Sequence, residues 1–231
     1  MFSLPIFLIL SVVRGIVAAP LTYDIALSVS DAEVVTGIDL TELILVGEET
    51  SDYLLGRSGP VFDPSVTLSD RSVIKIFNQR EIDHMVDVQE LMNKLWRLHE
   101  IVFLLIIIRL IISFLSERKE ALLNISREIR MSGMLSVIFL VSIGVFSLLL
   151  FDQFFLQFHE IFFSNDLWQL DPKTDRLIQI YPQNFWFGAL FVTASSATLL
   201  LLTFSALAHW YIRLASNASD HRGELERQRL L

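Results

Sequence analysis

Hydrophobic positions gather into four long stretches, about Phe2 to Ala19, Leu98 to Ser116, Met134 to Phe151 and Phe187 to Trp210. Each approaches the roughly 20 residues that a helix needs to cross the hydrocarbon core of a bilayer. The pattern predicts spans over residues 1–20, 98–116, 134–151 and 187–210. They are separated by segments 21–97, 117–133 and 152–186 and followed by a tail at 211–231. Between the second and third spans lie Arg118, Lys119, Arg127 and Arg130, and the tail carries Arg213, Arg222, Arg227 and Arg229. The positive-inside rule therefore expects both termini and segment 117–133 in the cytoplasm, and the two acidic segments 21–97 and 152–186 outside. The first stretch lacks a basic leader, holds Arg14 in its second half and has Pro20 just after Ala18 and Ala19, so it reads as a retained span rather than a cleaved signal.

Inside the outer segments the period shortens. Tyr23, Ile25, Leu27 and Val29 alternate with Thr22, Asp24, Ala26 and Ser28, the spacing of a half-buried strand, and Val73–Phe77 and Leu177–Tyr181 read as two more. Asp39 with Glu42 predicts the start of a short helix, and Gly56–Pro64 a turn-rich loop. Asn78 with Glu81 predicts a capping box for a helix over 79–97 whose Met85, Val88, Met92 and Leu95 share one face. That helix either runs unbroken into the second span or bends near Trp96–Glu100 to lie along the membrane surface. The fold class expected is an α-helical integral membrane protein. It is a four-helix transmembrane bundle with a small α+β extracytoplasmic cap, in which strands from the two outer segments pair.

Composition agrees: of 231 residues 53% are hydrophobic and 19% charged, with a mean hydropathy of +0.54, which excludes an ordinary soluble enzyme. No cysteine is present, so disulfide frameworks, thiolate metal sites and cysteine acyl-enzymes are excluded. A formal net charge of -8 argues against nucleic acid as a partner. Arg14 and Arg109 lie within apolar stretches, where they either anchor a polar headgroup or carboxylate, or else snorkel to the nearer interface or pair inside the bundle. Asn124–Ser126 and Asn217–Ser219 match the glycosylation pattern but fall on the expected cytoplasmic side.

Of five histidines, His84, His99 and His159 belong to the outer side. His84 precedes Asp87 by three residues, so on a helix the carboxylate could orient the imidazole. His159 stands beside Glu160 and is followed by Asn165, Asp166 and Trp168. His99–Glu100 and His159–Glu160 open like zinc-protease motifs, but Phe103 and Phe163 stand where the second histidine is required. No nucleophile elbow or phosphate loop is present in the sequence, and no metal or cofactor is expected.

The stretches Arg80–Val88 and Phe158–Trp168, with four spans and the Leu177–Pro182 segment, resemble the bacterial Lit family of lipoprotein intramolecular transacylases. Gln89 and the tail after Arg213 depart from the family pattern without touching the histidines. The resemblance implies a multi-pass enzyme of the bacterial cytoplasmic membrane with its active site on the outer face. Its substrate would be a diacylated lipoprotein, whose sn-2 acyl chain moves to the α-amino group of the lipidated N-terminal cysteine. It also implies His84 and His159 as the catalytic pair. Position adds Asp87, Asn165, Asp166 and Trp168 as supporting or substrate-binding residues, with membrane lipid the other partner and a monomer the default. The competing class is a non-enzymatic assembly factor or pH-responsive sensor whose cap binds a partner.

Overall fold

The computed structural model describes residues 3–68 and 70–229, leaving out the side chains of residues 119, 148, 219–227 and 229. The expected charges of Lys119, Arg222, Arg227 and Arg229, together with His221, lie outside the described side chains. Chain order is α1 Ser3–Ala18, α2 Pro20–Ser28, α3 Ala32–Thr36, α4 Leu40–Leu54, β1 Ser65–Thr67, β2 Val73–Lys75, α5 Gln79–Ser116, α6 Ala121–Leu149, α7 Phe151–Phe162, α8 Arg176–Ile180 and α9 Gln183–Arg229. α5 and α9 contain the expected spans at 98–116 and 187–210, α6 ends at Leu149, two residues short of the third expected span at 134–151, and all three are long and apolar enough to cross a membrane. A fourth crossing exists only if α1 and α2, bent by 68° relative to each other, are taken as one. Pro20 causes that bend: the residue before a proline is pushed out of the helical region, and Ala19 is extended with φ -93 and ψ 111.

The chain divides into two units. One comprises Ser11–Leu98 and Phe146–Thr193. Its core is a cluster of fully or nearly buried side chains including Leu27, Leu43, Tyr53, Val66 and Ile180. Each such burial is worth about 1.5–3 kcal/mol before entropy is counted. Asp39 caps α4 by accepting from the Thr41 N–H at 2.8 Å. Glu42 does not complete a capping box; its carboxylate instead accepts from the Thr67 N–H of β1 at 2.6 Å. Asn78 and Glu81 do form one, with reciprocal bonds of 2.8 and 3.1 Å that start α5. α5 then continues without interruption to Ser116, so no break falls near Trp96–Glu100.

Two strand expectations fail. Residues 22–29 lie in and just after α2, where Tyr23 and Leu27, four apart, enter the core while Ile25 and Val29 stay exposed. Residues 177–180 form α8, with Leu177 and Ile180, three apart, buried. Among the described residues the sheet is therefore the antiparallel pair β1–β2 alone, with Ser65 opposite Lys75, and both strands come from segment 21–97. Segment 152–186 joins the rest of this unit through bonds that are not sheet ladders. The Tyr181 and Thr50 hydroxyls lie 2.7 Å apart, and the Arg176 guanidinium donates to the Thr36 carbonyl at 2.9 Å.

The other unit comprises Met1–Leu10, His99–Val145 and Ala194–Leu231. Small side chains line its interior: Ser113, Ser132, Ala197 and Ser205 are buried, and a Cβ at Gly133 would collide with the Ser205 side chain. Arg109 pairs rather than snorkels, donating to Ser113, to Glu117 at 3.3 Å and to Glu128 at 2.5 Å. In the first unit, Arg14 places its guanidinium 5.3 Å from the Trp96 ring centre.

Candidate active site

Within the unit of Ser11–Leu98 and Phe146–Thr193, the early turns of α5 face α7 and the segment that follows it. His84 on α5 and His159 in the last turn of α7 come together with ring centres 6.1 Å apart. Both are nearly buried, at 7% and 8% exposure. Phe163 lies against both rings, at 5.2 Å from His84 and 5.5 Å from His159. Phe155 at 4.3 Å, Phe158 at 5.3 Å and Trp168 at 4.9 Å complete the surround of His159.

His159 Nδ1 lies 2.7 Å from the Phe155 carbonyl. A carbonyl can only accept, so Nδ1 carries the proton and Nε2 is left as a free base. Burial holds the His159 pKa below the ordinary imidazole value, partly offset by that bond. His84 is pulled down to about 4, mainly by burial and then by the field of His159, against the opposing pull of Asp87. Both imidazoles are neutral near pH 7, and the Nδ1 of His84 is buried without a hydrogen-bond partner among the described residues.

The expected Asp87 to His84 hydrogen bond is not formed. Asp87 Oδ2 instead accepts from the Asn165 amide at 2.8 Å, and Asn165 Oδ1 accepts from the Leu167 N–H at 3.0 Å. The Asp166 carboxylate accepts from Gln169 at 3.2 Å. Its main-chain carbonyl accepts from Arg80 at 2.6 Å. Trp168 stacks on His159 at an interplanar angle of 30°, and its indole N–H makes no hydrogen bond among the described residues. The structure therefore brings His84, His159, Asp87, Asn165 and Trp168 into one neighbourhood and ties Asp166 to it through the main chain.

Two positioning contacts lie beyond what the sequence reading reached. Glu81, 1% exposed, accepts from the Leu177 N–H at 2.6 Å as well as from Asn78. The Asn78 amide in turn donates to Asp175 at 3.0 Å. Burial raises the Glu81 pKa above the usual carboxylate value. Arg80 grips the carbonyls of Asp166 and Leu167. The capping box signalled Glu81's local role, but its second partner lies far along the chain and has no local signature.

Comparison with known proteins follows the same lines. The chain is similar to a solved structure of the membrane integral lipoprotein intramolecular transacylase Lit from Bacillus cereus, with TM-score 0.69, 20% identity and coverage of 95% of this chain and 94% of that one. A variant of that protein with one histidine replaced by alanine gives 0.69 at 17% identity over 93% and 91% of the two chains. The corresponding arginine variant gives 0.65 at 19% over 96% and 90%. An uncharacterized protein of Aquifex aeolicus (strain VF5) is 29% identical over 123 residues, or 53% of this chain. That match takes in 52% of the relative, so the chain spans about half its length. The family model described as lipoprotein intramolecular transacylase Lit matches residues 1–186. The chain thus belongs to the Lit family of acyltransferases, and is an integral membrane protein.

Proposed function

We propose that this chain is an O-to-N transacylase that moves the sn-2 acyl chain of a diacylglyceryl-modified lipoprotein onto the α-amino group of its N-terminal cysteine. Above all, the approach of two buried imidazoles, His84 and His159, to 6.1 Å supports this reading in a chain of the Lit family. The amine nitrogen attacks the ester carbonyl carbon while a neutral imidazole removes its proton. As the new C–N bond forms, the C–O bond to the sn-2 oxygen breaks, and that oxygen takes a proton from imidazolium. The products are an amide and a free glycerol hydroxyl, with no change in mass. Repulsion between the rings favours at most one proton on the pair, so the proton accepted in the first half is readily surrendered in the second. Donor ester and acceptor amine share one molecule, so orientation replaces a covalent enzyme intermediate. The Trp168 indole N–H and the second N–H of Asn165 are the donors available to the tetrahedral oxyanion.

The test is conversion of a diacylated lipopeptide to its N-acyl lyso isomer, followed by fragment-ion mass spectrometry with purified protein. Replacing His84 or His159 by Ala should lower the rate by roughly 10²–10⁴-fold, with the double variant little worse than either single one. Normal conversion by a well-folded His159→Ala protein removes that residue from the chemistry. The charge distribution supports both termini and segment 117–133 in the cytoplasm and segments 21–97 and 152–186 outside, with the chemistry at the outer face. In intact cells an impermeant thiol reagent should then label a cysteine placed at Ser58 and spare one at Asn217; the reverse pattern overturns that topology.

A further inference from the structure

The carboxylate of the site is not spent on a histidine. Asp87 stands one turn beyond His84 on α5, half-buried and therefore reachable. Asn165 holds its Oδ2 at 2.8 Å, and Oδ1 has no hydrogen-bond partner among the described residues. Nor does any Lys or Arg among them form an ion pair with it. The Arg80 guanidinium, two turns earlier, is committed to the carbonyls of Asp166 and Leu167. The rest of the surround is Phe155, Phe158, Phe163 and Trp168, plus two imidazoles that burial keeps neutral.

An unpaired carboxylate beside a largely aromatic site lacks a cation. The substrate of the transacylase reading brings one, because an α-amino group with a pKa of about 7.7–8.0 arrives at neutral pH mostly as ammonium. Desolvating that ammonium against aromatic rings alone is costly, and a fixed carboxylate offsets the cost with a charge-assisted hydrogen bond. We propose that Asp87, aimed by Asn165, is the receptor for the substrate's α-ammonium group and makes the site selective for a free amino terminus. The proposal rests on the transacylase reading and adds a consequence to it. An ammonium that becomes an amide gives up two protons, one of which ends on the sn-2 oxygen and the other in solvent. The amide is uncharged and loses its attraction to Asp87, so the acyl transfer itself weakens the product's hold on the site.

The probes are two lipopeptides in which ether links replace both esters, so that neither can react. One carries a free α-amino group and the other has hydrogen in its place. The purified wild-type protein in detergent should bind the amino form about tenfold or more tightly at pH 6.5. Asp87→Asn, which removes the charge and keeps the shape, should bind the two forms equally. Asn165→Ala, which keeps the charge but frees the carboxylate to turn, should reduce the preference to an intermediate value; if Asp87→Asn fails to fold, an unchanged preference in Asn165→Ala overturns the proposal. Equal binding by the wild type, or an undiminished preference in Asp87→Asn, overturns the proposal. A wild type that shows the preference yet never converts the ester substrate would instead sink the transacylase reading and leave the ammonium site standing.

Discussion

The two units of this chain differ in how much of their large apolar side chains they bury. In the unit of Ser11–Leu98 and Phe146–Thr193, Leu43, Tyr53 and Ile180 are fully buried. In the unit of His99–Val145 and its partner segments, Leu104, Ile108, Phe139 and Leu199 are between 52% and 66% exposed, while serine, alanine and glycine share the interior with Val102, Ile125 and Leu201. The first arrangement is what water selects, because removing apolar surface from water drives the packing. The second is what lipid selects: hydrocarbon chains solvate leucine as well as other leucines do, so helices associate through close approach at small residues. The candidate functional side chains follow the division. The buried titratable pair sits in the water-type core, where a rigid surround can fix an imidazole, and the span-type unit uses its charges to tie Arg109 to Glu117 and Glu128.

The contrast can be broken by substitution. Leu43→Ala, in the water-type core, should cost about 2–5 kcal/mol and lower the yield of folded protein in detergent, as read by thermal stability. An unchanged melting temperature would mean that this core is not what holds the unit together. Acid should have a smaller effect, confined to the same unit. His84 and His159 are held neutral in the folded chain, so below pH about 6.5 the unfolded chain binds protons that the folded one refuses. Stability is therefore lost as pH falls from about 6.5 toward 4, by up to about 3 kcal/mol for His84. Glu81 has the opposite sign: its raised pKa makes the folded form take up a proton first, so its penalty at neutral pH fades as the solution is acidified. Hydrogen-exchange protection, taken relative to the intrinsic exchange rate at each pH, should fall in α7 and the start of α5 between pH 7 and pH 5 while that of α6 and α9 stays unchanged; an equal fall in both units contradicts the division. Leu104→Ala, on an exposed span surface, should alter thermal stability least, by about 0.5 kcal/mol or less.

What the sequence made legible tracks the range of the interactions. The apolar stretches inside α5, α6 and α9 and the Asn78–Glu81 cap are local signals, and each appears where expected. The β2 strand also appears, though as three residues rather than five. Alternation at Tyr23–Val29 misled because α2 is apolar on both faces, one toward the core and one exposed, so period two and period 3.6 fit the same four residues. Pro20, well suited to a first helical position, was the better signal. At the site, the two histidines were legible as residue types beside carboxylates. The grip of Asn165 on Asp87 and of Glu81 on Leu177 was not, since those partners are 78 and 96 residues apart.

The bond from His159 Nδ1 to the Phe155 carbonyl has a genetic consequence. Histidine tautomers fixed by a carboxylate can be unfixed by replacing that acid. Here the acceptor is the main chain one turn earlier on the same helix, which every amino acid supplies. No substitution at Phe155 removes the oxygen, so a point-mutation survey that reads the tautomer of His159 would never find what aims it. Only a change in the spacing of α7, such as one residue inserted between Phe155 and His159, would turn the imidazole away from its acceptor. Selection on this feature therefore acts on insertions and deletions rather than on side chains.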